Sequence, residues 1–453
     1  MGQSNGHLTG KIGSWFWSPW AMMAAALAIR LVVMCFTYQI QLDPSRDHLA
    51  FGWETGRVAR SIVSGMGFSS PYSVPTGPTA LIPPVYPYLV AGVFKLFGIY
   101  TTSSALVLLL LNNLFSSFTC LPVFLIARRV LGLRVAALAG WTWVVFPYSI
   151  GLSNTVIWET SLTTLLLSTA VLATLHLENS NRPIDWIGYG LLWGFLGLTG
   201  PATLSVLPFL GAWIWVRHRQ RGSNVTVMAL VASFVFFAII APWIWRCSRN
   251  YGRFVALRDN FGLEVLVGNS DNDASSANWS VLPGNNASEL KRLLQVGEAA
   301  YMAEKEQQAK ALIERHPSRY ALLIFRRILN TWTAVWRYPP GWNLENSGLA
   351  NVFTYTFISL LAFVGIGRTI RERQDGVHPL LILVVVFPGI YYLTHSDLGF
   401  RHPIDPVIVI FLTYGVFSLL SEKRQCLEKN TIYNPIEGSG QSWSWAERDE
   451  PGA

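Results

Sequence analysis

SNTVIWETSLTTLLL, residues 153–167, decides the reading of this chain. It runs into a stretch apolar enough for a bilayer, and Glu159 stands just inside it. A carboxylate at the start of a membrane span costs free energy, and such residues usually face a polar cavity. Asn154 or Thr155 is expected to cap the helix, leaving Glu159 in its first turn, where the helix dipole favours an anion. The competing reading is a capping or packing role.

The rest of the chain fits a membrane setting. Of its 453 residues 51% are hydrophobic and 13% charged, whereas soluble domains carry about 25% charged residues. Mean hydropathy is +0.35. Nineteen Trp, 16 Tyr and 25 Phe suit aromatic belts at two interfaces. The net charge of +8 sits in loops between apolar runs, so membrane topology explains it and nucleic acid is not implied. Cys35, Cys120, Cys247 and Cys426 are far apart and form no CxxC pair, which argues against a zinc site or a disulfide framework.

Ten runs are long and apolar enough to be read as spans: 16–38, 103–127, 134–150, 156–176, 184–199, 201–216, 225–246, 348–367, 378–395 and 404–421. The first is too long for a signal-peptide core and is expected to be retained. The pair meeting at Gly200-Pro201 reads as two short helices or one broken helix. One set of short loops holds fourteen Lys and Arg; the opposite set holds only Arg401. That bias puts both termini inside. The expected layout is an all-α bundle of about ten spans in a module over 1–246, which includes a first outer loop at 39–102. A mixed outer loop at 247–347, C-terminal spans over 348–422 and a polar tail at 423–453 complete it.

Residues 47–64 and 85–97 read as amphipathic surface helices of the first loop, the second closed by Gly98. In the second loop, 261–269 (FGLEVLVGN) reads as an apolar strand-like piece, 289–315 as one charged helix, and 319–337 as an interfacial helix. The ionisable groups Asp43, Asp47, His48, Glu54, Glu159, Glu264, Asp397, His402 and Asp405 all fall on the outer side of this layout.

Asp47 and Glu54 lie seven residues apart, on one face if both are helical. An N-cap is the bland role for Asp47, and a surface pair with Arg57 for Glu54. Gly52 and Gly56 around Trp53 and Glu54 instead favour a carboxylate turned into a cleft. Arg401, with His402 beside it, offers a guanidinium whose planar fork suits phosphate; snorkelling to lipid headgroups is its alternative. There is no P-loop, dinucleotide-binding, HExxH or G-x-S-x-G signature.

The order DHLAFGWETGRVARSIVSGMGFSSP (47–71), PTALIPPVYPYLVAGVFKLFG (78–98), WETSLTTLLL (158–167) and FRHPIDP (400–406) resembles the GT-C glycosyltransferases. Within them it resembles the protein mannosyltransferase and lipid A aminoarabinose transferase branch, over roughly residues 16–250. The resemblance implies a polyprenyl-phosphate-sugar donor, a first-loop acid as base and a second acid at Glu159. The family's Asp-Glu or Asp-Asp pair is absent; Asp47-His48 and Glu54 stand in its neighbourhood, so the base is Glu54 or Asp47. Arg401, His402 and Arg57 are the expected contacts of the donor phosphate. The acceptor would be a lipid, a glycan or a protein, with membrane lipid around the chain. No cofactor is required, and room is left for a divalent metal. The rival readings are a flippase for a lipid-linked sugar and a ligase of whole lipid-linked glycans. The flippase is disfavoured because Arg30 is the one charge deep in a span and no internal repeat is evident.

Overall fold

The computed structural model describes residues 15–41, 51–270, 277–334 and 348–433. Their regular secondary structure is all helix, apart from one isolated antiparallel bridge between Ser69 and Pro78. Seven helical stretches are long and apolar enough to cross a membrane: Pro19–Thr37, Thr102–Leu131, Leu133–Thr155, Thr160–Leu177, Thr226–Tyr251, Asn351–Arg371 and Gly399–Ser421. They match seven of the ten expected runs. The other three are shorter pieces. Pro183–Thr199 is followed by a 3-10 turn, Pro201–Val206, and then Leu207–Gln220. Pro388 divides the last run into His378–Val386 and Gly389–Leu393. At about 1.5 Å per residue, the 17 residues of Pro183–Thr199 fall short of the ~30 Å hydrocarbon core.

Proline and glycine set these breaks, and polar side chains repair them. The helix Leu133–Val144 stops before Pro147–Thr155, freeing carbonyls inside the bundle. Arg30 of the first span answers them, donating to Val144 O at 3.2 Å and Trp143 O at 3.4 Å. It also donates to the hydroxyls of Ser116 and Ser149 at 2.9 and 2.7 Å. This fully buried arginine is therefore a bundle pin. Unpaired backbone groups have no water to turn to at that depth.

The two ends of the bundle differ in chemistry. At one end Glu178 accepts from Arg129 (3.0 Å), Arg217 (2.6 Å) and Arg221 (2.8 Å), and Arg217 also reaches Asp375 at 2.7 Å. These are the basic short loops of the chain, drawn together. The opposite end carries the two long loops, packed on each other. Glu298 accepts from Thr79 Oγ1 at 2.7 Å, from Ala80 N at 3.1 Å and from the Tyr251 hydroxyl. Arg246 donates to Thr79 O at 2.6 Å and sits over the rings of Phe68 and Trp243.

The loop helices depart from expectation in four places. The first-loop helix expected over 47–64 begins at Glu54, after a turn at Gly52 and Trp53, and residues 42–50 lie outside the described residues. The stretch Phe261–Asn269 is a helix, not a strand-like piece. Its apolar residues Leu263, Val265, Leu266 and Val267 are buried against the second-loop helices, and tertiary packing overrides their β preference. The charged helix is two, Ala287–Val296 and Glu298–Arg315, divided at Gly297, whose φ of +81° suits a glycine. Asn154 and Thr155 close the helix Pro147–Thr155 and do not cap the next one. The first-loop helix Val85–Phe97, closed by Gly98, falls where it is expected; the helix expected over 319–337 runs Pro317–Thr333 and ends at Ala334, with 335–337 outside the described residues.

Candidate active site

The site begins at a left-handed turn. Gly52 (φ +68°) and Trp53 (φ +41°) reverse the chain and start the helix Glu54–Val63, with Glu54 as its first residue. A Cβ at Gly52 would lie 2.5 Å from Ile157 O and 2.7 Å from Trp158 Cδ1. The first loop therefore rests directly on the linker 156–158. The residue after that linker is Glu159, at the N-cap position of Thr160–Leu177, with a side chain that makes no capping bond. Glu54 and Glu159, two of the residues singled out in the sequence, are thus delivered by segments in backbone contact.

Both carboxylates are half-buried. Burial pushes Glu54 above the ordinary carboxyl range. A hydrogen bond from its own backbone N–H and the charges of Arg57 and Arg258 oppose the rise, and Glu264 adds to it. Glu159, just before its span, is likewise raised by burial and held back by a backbone hydrogen bond and by Arg258. Arg258 is the charge common to both.

Arg258 is fixed from two sides. Its Nε donates to Leu81 O at 2.7 Å, and its Nη2 lies 3.6 Å from Glu264 Oε1. Glu264, in the first turn of Phe261–Asn269, accepts from Asn260 Nδ2 at 2.6 Å. Its other oxygen lies 3.6 Å from His395 Nδ1. His395 is buried, edge-on to Trp279 and Phe400, and burial lowers its pKa below the ordinary histidine value. Arg57, one turn after Glu54, donates to Pro71 O at 3.4 Å and stays beside the carboxylate.

Arg401 and His402 are held by Asp405, and Arg401 lines a small cavity with Tyr391, Asp397 and Phe400. Asp405, fully buried, accepts from Arg401 Nε and pairs with His402 Nδ1, both at 3.0 Å. Arg401 Nη1 donates to Thr331 O at 3.3 Å and Ser359 Oγ at 3.2 Å, and the guanidinium lies 4.0 Å from the Tyr355 ring centroid. His402 stacks on Trp143. The pair expected on a donor phosphate thus has a counter-charge of its own in Asp405, as a buried arginine needs, while Arg401 Nη2 is buried with no hydrogen-bond partner among the described residues. Asp397 caps the short helix Leu398–Arg401 through Gly399 N at 2.8 Å. Asp43, Asp47 and His48 lie outside the described residues. Among the described residues no three His, Cys, Asp or Glu side chains come together to hold a metal ion.

Sequence reasoning missed Arg258 and left Glu264 without a role. Arg258 was one of many arginines in a long loop. Had 261–269 been read as a helix capped near Asn260, Glu264 would have fallen in its first turn, with Arg258 just ahead of it.

Residues 82–245 match the family model described as dolichyl-phosphate-mannose-protein mannosyltransferase, a segment that includes Glu159. Among solved structures the chain is similar to the Archaeoglobus fulgidus oligosaccharyltransferase in its apo form: TM-score 0.50, 15% identity, covering 92% of this chain and 53% of that one. It is similar to the same species' oligosaccharyltransferase AglB in complex with an inhibitory peptide and a dolichol-phosphate (TM-score 0.51, 15% identity, 92% and 52% covered). Likeness to ArnT from Cupriavidus metallidurans bound to undecaprenyl phosphate has TM-score 0.37 at 14% identity, over 86% and 77%. The chain spans about half the length of the oligosaccharyltransferase. No curated protein sequence matches it. The family model thus matches about a third of the chain, residues 82–245, and the solved structures share its fold.

Proposed function

We propose that the protein is a membrane glycosyltransferase that moves a sugar from a polyprenyl-phosphate donor to an acceptor hydroxyl. The observation that carries this reading is that Glu54 and Glu159 each begin a helix just after segments that touch, Gly52 against Ile157 and Trp158, at the end of the bundle away from the basic loops. Positive loops face the cytoplasm, so this end is the extracytoplasmic one, in the plasma or inner membrane. A polyprenyl donor lies in the bilayer with its phosphosugar at that boundary. Nucleotide sugars, made inside, would not reach it.

The step runs as one displacement. The acceptor oxygen forms a bond to the anomeric carbon while its proton passes to a carboxylate, Glu54 or Asp47. The bond from the anomeric carbon to the phosphate oxygen breaks, and polyprenyl phosphate leaves with the electron pair. One displacement inverts the anomeric centre. Glu159 orients the reacting groups as the second acid. Arg258, with Arg57 behind it, takes the role that Arg401 and His402 were expected to fill and stabilises the charge on the departing phosphate. A raised carboxyl suits a base, since a catalytic pKa works best near the operating pH.

The family description, with its dolichyl-phosphate-mannose, supports a lipid monophosphate sugar as donor. The likeness to an oligosaccharyltransferase crystallised with an acceptor peptide favours a protein acceptor over lipid or glycan. The test is transfer of labelled sugar by purified protein from a panel of polyprenyl-phosphate sugars, beside Glu54→Gln and Glu159→Gln. Transfer lost in the variants is the expected result. No transfer with any donor, together with movement of the lipid across liposomes, would replace this reading with a flippase.

A further inference from the structure

Two segments wall the site on its Glu264 side. One is the helix Phe261–Asn269, which carries Glu264; the other is the turn after Gly389–Leu393, which carries His395. They meet end to end. A Cβ on Gly268 would lie 1.9 Å from Thr394 O and 3.0 Å from His395 Cβ, so only a glycine permits the approach. Both segments present the unpaired carbonyls of a helix C-terminus at this junction.

Arg327 sits on it. The residue is 5% exposed. Its Nη2 donates to Gly268 O at 2.5 Å and Asn269 Oδ1 at 2.9 Å, on the first segment. Its Nη1 donates to Tyr392 O at 3.1 Å and Leu393 O at 3.3 Å, on the second. All four of these acceptors are uncharged oxygens, three of them backbone carbonyls. Negative helix ends attract a cation, and only a planar fork can divide its donors between two segments. Arg327 belongs to the helix Pro317–Thr333, which turns Leu322, Phe325 and Leu329 outward. Tyr320 OH from that helix also donates to Leu393 O at 3.1 Å, and Trp332 Nε1 to Tyr392 OH at 3.0 Å.

We propose that Arg327 is a positioning residue that clamps the Glu264 helix to the His395 turn and so holds Arg258 where it meets the donor phosphate. The chain of contacts runs from Arg327 to the Gly268–Thr394 junction, from there to the Glu264–His395 pair, and from Glu264 to Arg258. This rests on the glycosyltransferase reading for the identity of the ligand, but the clamp itself does not.

The experiment uses the full-length protein in detergent and compares Arg327→Lys and Arg327→Ala with Arg326→Lys, whose neighbouring side chain is exposed. Two quantities are measured: affinity for undecaprenyl phosphate, and amide hydrogen exchange of peptides over 262–270 and 390–398. The expected result for both Arg327 variants is faster exchange in both peptides and affinity weaker by about tenfold or more, the loss of one hydrogen bond to a charged group. Arg326→Lys changes neither. Faster exchange with unchanged affinity would reduce Arg327 to a structural strut and overturn the proposal; unchanged exchange would overturn the clamp. If the Arg327 variants fail to fold, Gly268→Ala separates the same two segments and is expected to give the same pair of changes, with the same overturning results. If wild type binds no polyprenyl phosphate, the glycosyltransferase reading fails, and the exchange arm alone decides the clamp.

Discussion

Gly52→Ala puts the geometry of the site to a sharp test. The added Cβ would stand 2.5 Å from Ile157 O, whereas ordinary contact begins at 3.4 Å. The first loop must therefore retreat from the Glu159 linker by about 0.9 Å, a distance that carries Glu54 away from Glu159. Two costs follow. An alanine at φ +68° loses about 1–2 kcal/mol in the left-handed region. Overpacking adds about 1–3 kcal/mol. Gly65→Ala separates them, because Gly65 has φ +81° but a Cβ there would meet nothing within 4 Å. Gly65→Ala should lose stability through strain alone and keep its transfer rate. Gly52→Ala should lose more stability and also about 10- to 100-fold in kcat, since a misplacement of about 1 Å at reacting groups costs up to ~10²-fold. The assay is labelled-sugar transfer alongside thermal melting in detergent. If Gly52→Ala melts and transfers like Gly65→Ala, the loop–linker contact does not set the carboxylate pair.

Further outcomes follow from the same geometry. Glu54 lies above the ordinary carboxyl range and must be ionised to act as base, so transfer should fall on acidification through that raised pKa. Arg258 holds Glu54 and Glu159 down, so Arg258→Gln should move the acid limb of the pH–rate profile to higher pH; a limb that stays in place or moves lower would contradict the assignment. Asp405→Asn leaves Arg401 buried beside a neutral partner and should cost about 3–5 kcal/mol of stability, read as a lower melting temperature. The folded fraction should keep its KM for the donor, and a raised KM would return Arg401 to the phosphate.

Much of this architecture is legible in residue order. Hydrophobic length marks the seven long spans, and the basic loops foretell which loops share an end, a grouping made physical by Glu178 and its arginines. Glu159 stands out because an acid at the start of an apolar run is costly, and Glu54 because Gly52 and Gly56 flank it. Partnership across distance is what residue order conceals. Arg401 looks free next to His402, yet Asp405, three and four residues on, claims both once the segment turns helical. Arg258 finds its partners through Leu81 and Glu264, contacts fixed only when the loops interlock. The strand-like look of 261–269 concealed them, because Val265 and Val267 favour strands locally but are buried on a helix.

The central claim is that the transfer centre lies at Glu54 and Glu159 with Arg258 on the phosphate. The most direct measurement is the affinity of purified protein for polyprenyl phosphate, wild type beside Arg258→Gln and Arg326→Gln. A hydrogen bond to a charged group is worth about 1.5–3 kcal/mol, so Arg258→Gln should bind about 10- to 150-fold more weakly while Arg326→Gln binds as wild type. Equal affinity in all three would mean that the phosphate is held elsewhere and that this acidic centre is not where the sugar is transferred.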